Sequence, residues 1–259
     1  MLTLYEHPLS PYARKVKIAL WEKGIPFESR LPDLMGSLPA DFAAASPRLE
    51  VPTLVAEGLS IFDSTIILEY IEDRYPQPPL RAADPADRAR ARMLEELADT
   101  QLEAAAWGLA EVRFFGRATG SKADELTAAA GAVVAHHFDR LERELSRRDF
   151  LNGPAFGFAD IAFIPLVSAL GFFGLQPGPE RPRLSAWLGR MLERESVQKD
   201  QAAAMEAVAG FSTMATGGGG RPVVRQYRDH RLEWMMKHGG ADIVRDGLAN
   251  GSIKFAPVA

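Results

Sequence analysis

The sequence of 259 residues contains no cysteine. Disulfides, thiolate-bound metals and a cysteine nucleophile are therefore excluded, although this absence does not identify the cellular compartment. A net charge of −4 and a pI of about 5.8 give no overall basic field that would attract nucleic acid, although local basic clusters remain possible. The N-terminus lacks a basic segment followed by an apolar one, so no secretory signal is predicted.

A long hydrophobic run is also absent. The most apolar stretch, Ile161 to Leu175, is interrupted by Pro165, Gly171 and Gly174. It falls short of the ~20 residues that span a bilayer. We predict a buried helix there, and a cytosolic protein that does not contact a membrane. Because 47% of the residues are hydrophobic, the chain can form a substantial core in one large domain or two smaller ones.

The first 76 residues alternate between strand and helix patterns. The predicted elements are the strand Leu2–Tyr5, the helix Tyr12–Lys23, the extended segment Pro26–Leu31, the hairpin strands Thr53–Ala56 and Ser60–Phe62, and the helix Asp63–Tyr75. Gly24 ends the first helix, and Glu57-Gly58 forms the hairpin turn. This β-α-β then β-β-α order predicts a small thioredoxin-like α/β domain at 1–76.

Three prolines, Pro76, Pro78 and Pro79, mark a boundary after which the strand signal ends. Asp84 is predicted to cap the next helix, with Pro85 at its first position. Helices are predicted over about 84–117, 121–147, 158–173, 183–195 and 197–208. They predict an all-helical domain at 84–210, followed by a flexible linker at Ala215–Gly220. A C-terminal helical extension at 221–259 has helix candidates at 222–237 and 241–248.

Ser10 is the first candidate for chemistry, because it follows the first strand and starts the first helix. Unpaired N–H groups and the helix dipole favour an anion at that position. A free thiol has a pKa of about 8.5 and is mostly protonated at neutral pH, whereas a hydroxyl that donates a hydrogen bond to sulfur stabilises the thiolate. The alternative is a serine that only caps the helix.

Three segments together resemble the glutathione-binding domain of the cytosolic glutathione transferases. They are Ser10-Pro11-Tyr12-Ala13-Arg14, Val51-Pro52-Thr53-Leu54 and Phe62-Asp63-Ser64-Thr65. The first is similar to the active-site segment of serine-type, bacterial-like members, and the tail of this chain is longer than is usual in the family. The resemblance implies an N-terminal thioredoxin-like domain (α/β) followed by an all-helical C-terminal domain (all-α). It covers residues 1 to about 210.

The resemblance also implies how glutathione is held. The Val51–Pro52 bond is expected to be cis, so that the N–H and C=O of Val51 pair with the cysteinyl backbone of glutathione. The Ser64 hydroxyl and a helix N–H suit the γ-glutamyl carboxylate, and Asp63 suits the ammonium. The alternatives are an ordinary strand-edge proline at Pro52 and simple helix capping by Asp63 and Ser64.

Two positions depart from the family pattern. Glu50 lies where a cation or a neutral group often faces the glycine carboxylate, so we expect repulsion unless Glu50 points to solvent or Arg48 compensates. Gly157 replaces the serine or threonine that usually begins the third long helix. Asp160 is predicted to bond backward to the Gly157 N–H.

An electrophile pocket is expected between the domains. Its candidate residues are Leu9, Tyr12, Trp107, Arg113, Phe114 and Phe115. Core or dimer packing is the alternative for the aromatic ones. His136-His137 is interpreted as a surface or interface pair. The basic cluster Arg225, Arg228, Arg231 and Lys237 is interpreted as a solvated helix face, or alternatively as a gate or a contact for an acidic substrate.

The resemblance implies a glutathione transferase that acts in detoxification, with glutathione as cosubstrate, an electrophilic small molecule as partner, no metal, and a homodimer as the active unit. Lacking a protein thiol, the chain is not expected to remove glutathionyl groups through a mixed disulfide. A specialised glutathione-dependent ether- or halide-cleaving enzyme and a glutathione-dependent isomerase are alternatives. A noncatalytic partner-binding protein of the same fold is another, because a fold alone does not establish an activity.

Overall fold

A computed structural model describes residues 1–32, 39–216, 225–227 and 229–255. By contacts the chain divides into two compact units. The first joins 1–82 to the chain from Arg190 through the helix that ends at Thr216, and the second joins 83–189 to the C-terminal segment. Residues 190–210, expected in the helical domain, thus group with the N-terminal residues.

The first unit contains a four-stranded mixed sheet, as predicted. Its strands are β1 (Leu2–Tyr5), β2 (Phe27–Arg30), β3 (Thr53–Ala56) and β4 (Leu59–Phe62). They lie in the order β2-β1-β3-β4, with β1 parallel to β2 and with antiparallel β1–β3 and β3–β4 pairs. The helices are α1 (Pro11–Glu22), α2 (Ala40–Ala45) and α3 (Ser64–Arg74). Only α2 has no counterpart in the sequence-based prediction.

Apolar side chains from the sheet and from two helices form the core of this unit. One cluster contains Leu4 and Leu54 from neighbouring strands, Val16 and Leu20 from α1, and Ile67 from α3. All five side chains are fully buried. Alternation along a strand and the 3–4 spacing along a helix place these residues on one face each. The core therefore fixes α1 and α3 against the sheet.

The β3–β4 hairpin turns at Glu57-Gly58, where both residues have positive φ, 52° and 86°. Glycine adopts this region without a steric penalty, and two positive φ values match the strand twist of a two-residue hairpin. The predicted turn is therefore confirmed.

A buried ion pair joins α1 to the helix α9 (Glu195–Thr216). The Arg14 guanidinium donates to both carboxylate oxygens of Asp200, with the shortest contact at 2.7 Å. The two side chains are only 5% and 1% exposed. Burial raises the pKa of Asp200, and Arg14 opposes this shift.

The other helices are α4 (Pro85–Leu97), α5 (Glu103–Arg113), α6 (Gly120–Glu144), α7 (Phe158–Leu170) and α8 (Pro182–Leu192). Asp84 caps α4 as predicted, accepting hydrogen bonds from the N–H groups of Ala86 and Asp87. The single helix expected over 84–117 is instead two helices joined by a π-helical turn at Ala98–Leu102. An extra residue per turn shifts the faces of the helix that follows.

The helix α7 is apolar on all sides and almost wholly buried, as predicted. Asp160, in its first turn, accepts hydrogen bonds from the main-chain N–H groups of Leu151, Asn152 and Gly157 and from Trp187 Nε1. The predicted backward bond to Gly157 is thus confirmed. Burial raises the pKa of Asp160 to about 6, although these donors act in the opposite direction.

The C-terminal extension differs from its predicted form. A strand, β5 (Arg225–Tyr227), precedes α10 (Asp229–Lys237), so the helix expected over 222–237 is wrong in its first part. After α11 (Ala241–Ala249), β6 (Ile253–Phe255) pairs with β5 in parallel. Of the predicted linker, Ala215 and Thr216 belong to α9, and residues 217–220 lie outside the described residues.

His137 is buried, at 2% exposure, which contradicts its interpretation as a surface or interface residue. Burial lowers the pKa of His137 to about 4, and His136 and Arg140 lower it further. Its position on the inward face of α6 explains the difference, because the neighbouring His136 points elsewhere. Within the described ranges, no helix is long and apolar enough to cross a membrane.

Candidate functional site

Three loops that carry predicted site residues meet at one end of the sheet. In the strand register, Tyr5 lies beside Thr53, and Thr53 lies beside Phe62. Tyr5 ends β1, Thr53 begins β3 and Phe62 ends β4. Because neighbouring strands are about 4.8 Å apart, the segments that continue from these three residues lie within ~10 Å of each other. The sheet thus brings together the starts of the three segments that carry Ser10, Val51-Pro52 and Asp63-Ser64.

Ser10 caps α1. Its Oγ accepts a hydrogen bond from the Ala13 N–H at 3.3 Å, and Pro11 occupies the first helical position. A hydroxyl has one hydrogen to donate and two lone pairs, so this cap leaves the Ser10 hydrogen for another partner. Capping the helix and donating to a sulfur atom at the helix N-terminus are therefore compatible roles for the same hydroxyl.

Val51 and Pro52 lead into β3. The Val51–Pro52 bond is cis, as the resemblance implies. Within the described part of the chain, the main-chain N–H and C=O of Val51 have no hydrogen-bond partner, since the ladder to β1 begins at Thr53. These groups can accept and donate to an extended ligand backbone at the edge of the sheet.

Asp63 caps α3 in an unusual backbone conformation. Its φ is 73°, a region that costs a non-glycine residue of order 1–3 kcal/mol. One carboxylate oxygen, Oδ1, accepts the N–H groups of both Thr65 and Ile66, at 2.9 and 3.3 Å. The second oxygen can therefore bind a cation. Ser64 is the first residue of α3 and is 4% exposed, so it places its hydroxyl at a helix N-terminus.

Glu50 forms an ion pair with Arg48, whose Nε lies 3.1 Å from Glu50 Oε2. The Glu50 side chain is only 13% exposed, and the Arg48 guanidinium also stacks over the Phe62 ring. Arg48 thus compensates the negative charge, which is one of the two conditions under which the sequence predicts no repulsion of glutathione.

Two further predicted residues lie next to Ser10. Leu9 is 37% exposed, and Tyr12, in the first turn of α1, is 8% exposed. Leu9 is accessible to an apolar ligand, whereas most of Tyr12 is covered by the protein. The loop between β1 and α1 contains His7, whose main chain and ring form hydrogen bonds to Ser10 and Leu9 of the same loop. No sequence motif marks His7 as functional.

Of the four remaining predicted residues, Trp107 lies near the middle of α5, Arg113 ends it, and Phe114 and Phe115 follow in the next turn. Arg113 and Phe114 are exposed, Phe115 is half-buried, and Phe114 packs against Phe173 with ring centroids 5.4 Å apart. Phe173, at the end of the α7 segment, was not predicted, although its adjacent aromatic Phe172 and its glycine neighbours mark an irregular helix end. Phe114 and Phe173 thus form an aromatic pair on the second unit, with the Phe114 ring partly exposed.

The C-terminal extension packs on α5. The Arg231 guanidinium binds Glu103 at 2.7 Å and lies 3.8 Å from the centroid of the Trp107 ring. Because Arg231 is 8% exposed, its interpretation as part of a solvated face is wrong. Trp234 packs edge-on against Gly108. Arg231 of the C-terminal extension thus covers one face of the Trp107 ring. The spacing of basic residues in the extension does not indicate this contact.

Comparisons with known proteins agree with this geometry. Family models described as the glutathione S-transferase N-terminal and C-terminal domains match residues 4–79 and 105–195. A probable glutathione S-transferase, parC of Nicotiana tabacum, is 33% identical over 208 residues, which are 77% of this chain and 90% of that protein.

A second relative and a solved structure extend the comparison. The FtsZ-localized protein A of Caulobacter vibrioides is 30% identical over 199 residues, which cover 74% of this chain and 87% of that protein. The glutathione S-transferase of Methylobacterium radiotolerans, solved in complex with glutathione sulfonate, is 29% identical with a TM-score of 0.66. The match covers 77% of this chain and 93% of that one. The chain therefore belongs to the cytosolic glutathione transferase superfamily.

Proposed function

We propose that this protein is a serine-type glutathione transferase, in which Ser10 stabilises the thiolate of bound glutathione. The observation that supports this proposal is the register of Tyr5, Thr53 and Phe62, because the segments that carry Ser10, Val51-Pro52 and Asp63-Ser64 continue from these neighbouring strand ends. The solved relative that holds glutathione sulfonate supports the ligand class.

In this mechanism the Ser10 hydroxyl donates its hydrogen bond to the sulfur and keeps its proton. The N-terminus of α1 adds favourable electrostatics, and both effects lower the pKa of the thiol below about 8.5. The thiolate attacks an electrophilic carbon and forms a C–S bond. In a substitution that carbon expels a leaving group with its electron pair. In an addition the π electron pair passes to the neighbouring atom of the double bond, which then takes a proton from water. The protein contributes proximity and thiolate stabilisation, and the nucleophile belongs to the cosubstrate.

The ends of glutathione are held by the other two loops. The N–H and C=O of Val51 pair with the cysteinyl backbone, beside the cis Pro52. The Ser64 hydroxyl and the N-terminus of α3 bind the γ-glutamyl carboxylate, and the second carboxylate oxygen of Asp63 binds the ammonium. The Glu50–Arg48 pair lies next to Val51, toward the glycine carboxylate.

The electrophile is proposed to be hydrophobic or aromatic. Leu9, which directly precedes Ser10 and is 37% exposed, supplies apolar surface for it. A specialised ether- or halide-cleaving enzyme, or an isomerase, would use the same thiolate with a narrower pocket. The C-terminal extension favours such a specialisation, because its Arg231 covers one face of the Trp107 ring on α5.

A homodimer in the cytoplasm is the proposed state of the protein. Leu59 of β4 and Ile66 of α3 are 54% and 55% exposed, which leaves apolar area that a second copy could cover. Sedimentation at micromolar concentration tests this part of the proposal, and a Leu59→Glu variant is expected to shift the protein toward the monomer.

A noncatalytic partner-binding protein is the second candidate. It is favoured by the relative named FtsZ-localized protein A, which is 30% identical over 199 residues. In that case the site would bind glutathione weakly or not at all, and surfaces outside the site would carry the function.

A glutathione titration tests the two candidates. The near-ultraviolet thiolate absorbance of bound glutathione is recorded across pH, with S-methylglutathione as the thiol-free reference. We expect saturable binding and a thiol pKa below about 8.5. In Ser10→Ala that pKa should return toward the free value, with glutathione turnover reduced at least tenfold, whereas the exposed Ser60→Ala serves as a matched control. No binding at millimolar glutathione would favour the partner-binding candidate.

A further inference from the structure

The turn that presents Ser10 is closed by two hydrogen bonds to one residue. The His7 carbonyl accepts the Ser10 N–H at 2.8 Å, and His7 Nδ1 accepts the Leu9 N–H at 3.2 Å. A ring nitrogen accepts only through an unprotonated lone pair. We therefore assign the neutral tautomer with its hydrogen on Nε2, because that tautomer alone satisfies the Leu9 N–H.

The surroundings of His7 favour this neutral ring. Burial lowers the pKa of His7 below its usual 6.5. The charged groups that face it are Glu6, which opposes this shift, and Lys17, which adds to it. Glu6 and Lys17 form a buried ion pair at 3.0 Å, with side chains only 3% and 5% exposed, so the adjacent carboxylate is already neutralised by its partner. At neutral pH the imidazole is thus uncharged and able to accept.

We propose that His7 is a positioning residue for Ser10, and that protonation of its Nδ1 opens the turn. A protonated Nδ1 is a donor, and it would face the Leu9 N–H as a second donor. One of the two bonds that close the turn is then lost, and only the bond from the Ser10 N–H to the His7 carbonyl remains. With the turn held at one point instead of two, Ser10 moves from the place where its hydroxyl meets the thiolate. Displacements of about 1 Å at such a group can reduce a rate a hundredfold. This inference rests on the proposed role of Ser10 in glutathione transfer.

The tautomer and the pKa of His7 can be measured without any glutathione. The chain has five histidines, so selective labelling with ring-¹⁵N histidine gives a spectrum of five imidazoles. The His7 signals are identified by their absence from a His7→Asn variant. We expect the Nε2–H tautomer and an apparent pKa below 6.5. An Nδ1–H tautomer, or an apparent pKa at or above 6.5, overturns the proposal.

Kinetics then test the consequence for Ser10. Asparagine places its Oδ1 close to the position of Nδ1 and accepts without titrating, whereas leucine removes the acceptor. His7→Leu is expected to lower kcat/KM about fivefold to tenfold, with the Kd for glutathione unchanged within about twofold. On the acid side of the pH profile of the unmodified protein we expect two protonations, one of the glutathione thiolate and one of His7. His7→Asn should restore most of the rate and lose the protonation of His7.

The outcomes separate this inference from the proposed function. If the unmodified protein shows no glutathione turnover, the proposed function fails, and the histidine spectrum still decides whether His7 closes the turn. If turnover is present but His7→Leu retains the full rate and the same pH profile, the positioning role fails while the transferase remains. If His7→Leu does not fold, the spectrum of the unmodified protein and the His7→Asn profile give the decision.

Discussion

The contact between Gly108 and Trp234 leads to a prediction with a defined sign. A Cβ atom on Gly108 would lie 2.4 Å from Trp234 Cζ3 and 2.8 Å from Cη2, closer than real Cβ atoms approach other heavy atoms. The indole edge must therefore move if Gly108 is replaced by alanine. Trp234 is 7% exposed, and its helix is held to α5 by Arg231, so the ring has little room.

Two opposing effects determine how much Gly108→Ala changes the free energy of unfolding. Alanine in place of glycine within a helix stabilises by about 0.5–1 kcal/mol, whereas overpacking a closed contact costs about 1–3 kcal/mol. We expect Gly108→Ala to reduce the free energy of unfolding by about 1 kcal/mol. Gly131→Ala in α6 is the matched control, because a Cβ there meets nothing within 4 Å. That variant should be stabilised by about 0.5–1 kcal/mol.

Thermal and urea unfolding of both variants provide the assay. The same substitution is also made in a Trp234→Ala background. Without the indole ring, Gly108→Ala should be neutral or stabilising. If Gly108→Ala and Gly131→Ala stabilise the protein equally, the extension does not rest on α5 and the reasoning is refuted. A destabilisation that persists in the Trp234→Ala background would likewise point to a cause other than this contact.

Two further outcomes are expected. Arg48→Gln should weaken glutathione binding severalfold, because Arg48 then no longer compensates the negative charge of Glu50, while Glu50→Gln should bind at least as tightly as the unmodified protein. Titration calorimetry measures both affinities, and an Arg48→Gln affinity equal to that of Glu50→Gln would contradict the compensation argument. Burial lowers the pKa of His137 from 6.5 to about 4, so the unfolded chain binds the proton more tightly than the folded chain does. The free energy of unfolding therefore falls as the pH decreases from about 6.5 to 4, by at most about 3 kcal/mol. Urea unfolding across that range should show this slope, and His137→Leu should flatten it; an unchanged slope in the variant would exclude His137 as its source.

Local signals in the sequence were sufficient to predict the four strands, α1 and α3 of the first unit. Ser10 before a proline, the Glu57-Gly58 pair and the apolar spacing in α3 each specify their own backbone within a few residues. Since these signals also lie in the right order, the sheet and the three loops at its end could be predicted together. The α2 helix has only six residues and buries only Phe42 and Ala45, which is too short a pattern to recognise.

Contacts between distant residues could not be predicted in this way. The π-helical turn at Ala98–Leu102 lies inside a continuous helical pattern, and no residue type marks it. Arg231 reads as an exposed cation in a basic tail, yet it finds Glu103, 128 residues earlier. A charge pattern alone does not reveal a distant partner of opposite sign. No motif in the sequence marks His7, because its proposed role depends on a hydrogen bond between one ring nitrogen and the Leu9 N–H.

The buried pair of Arg14 and Asp200 has a consequence for how the chain is made. Asp200 emerges from the ribosome roughly 120 residues after the last strand and helix of the N-terminal segment. At bacterial or eukaryotic rates of synthesis this delay is about 6–24 s. During that time the carboxylate of Asp200 is not yet available to the guanidinium of Arg14. The first unit is completed only when α9 has been synthesised, which is after residues 83–189 of the second unit. The first 82 residues are therefore not expected to be stable when they are expressed alone, because removing α9 takes away the carboxylate that Arg14 binds and the helix that packs on this side of α1.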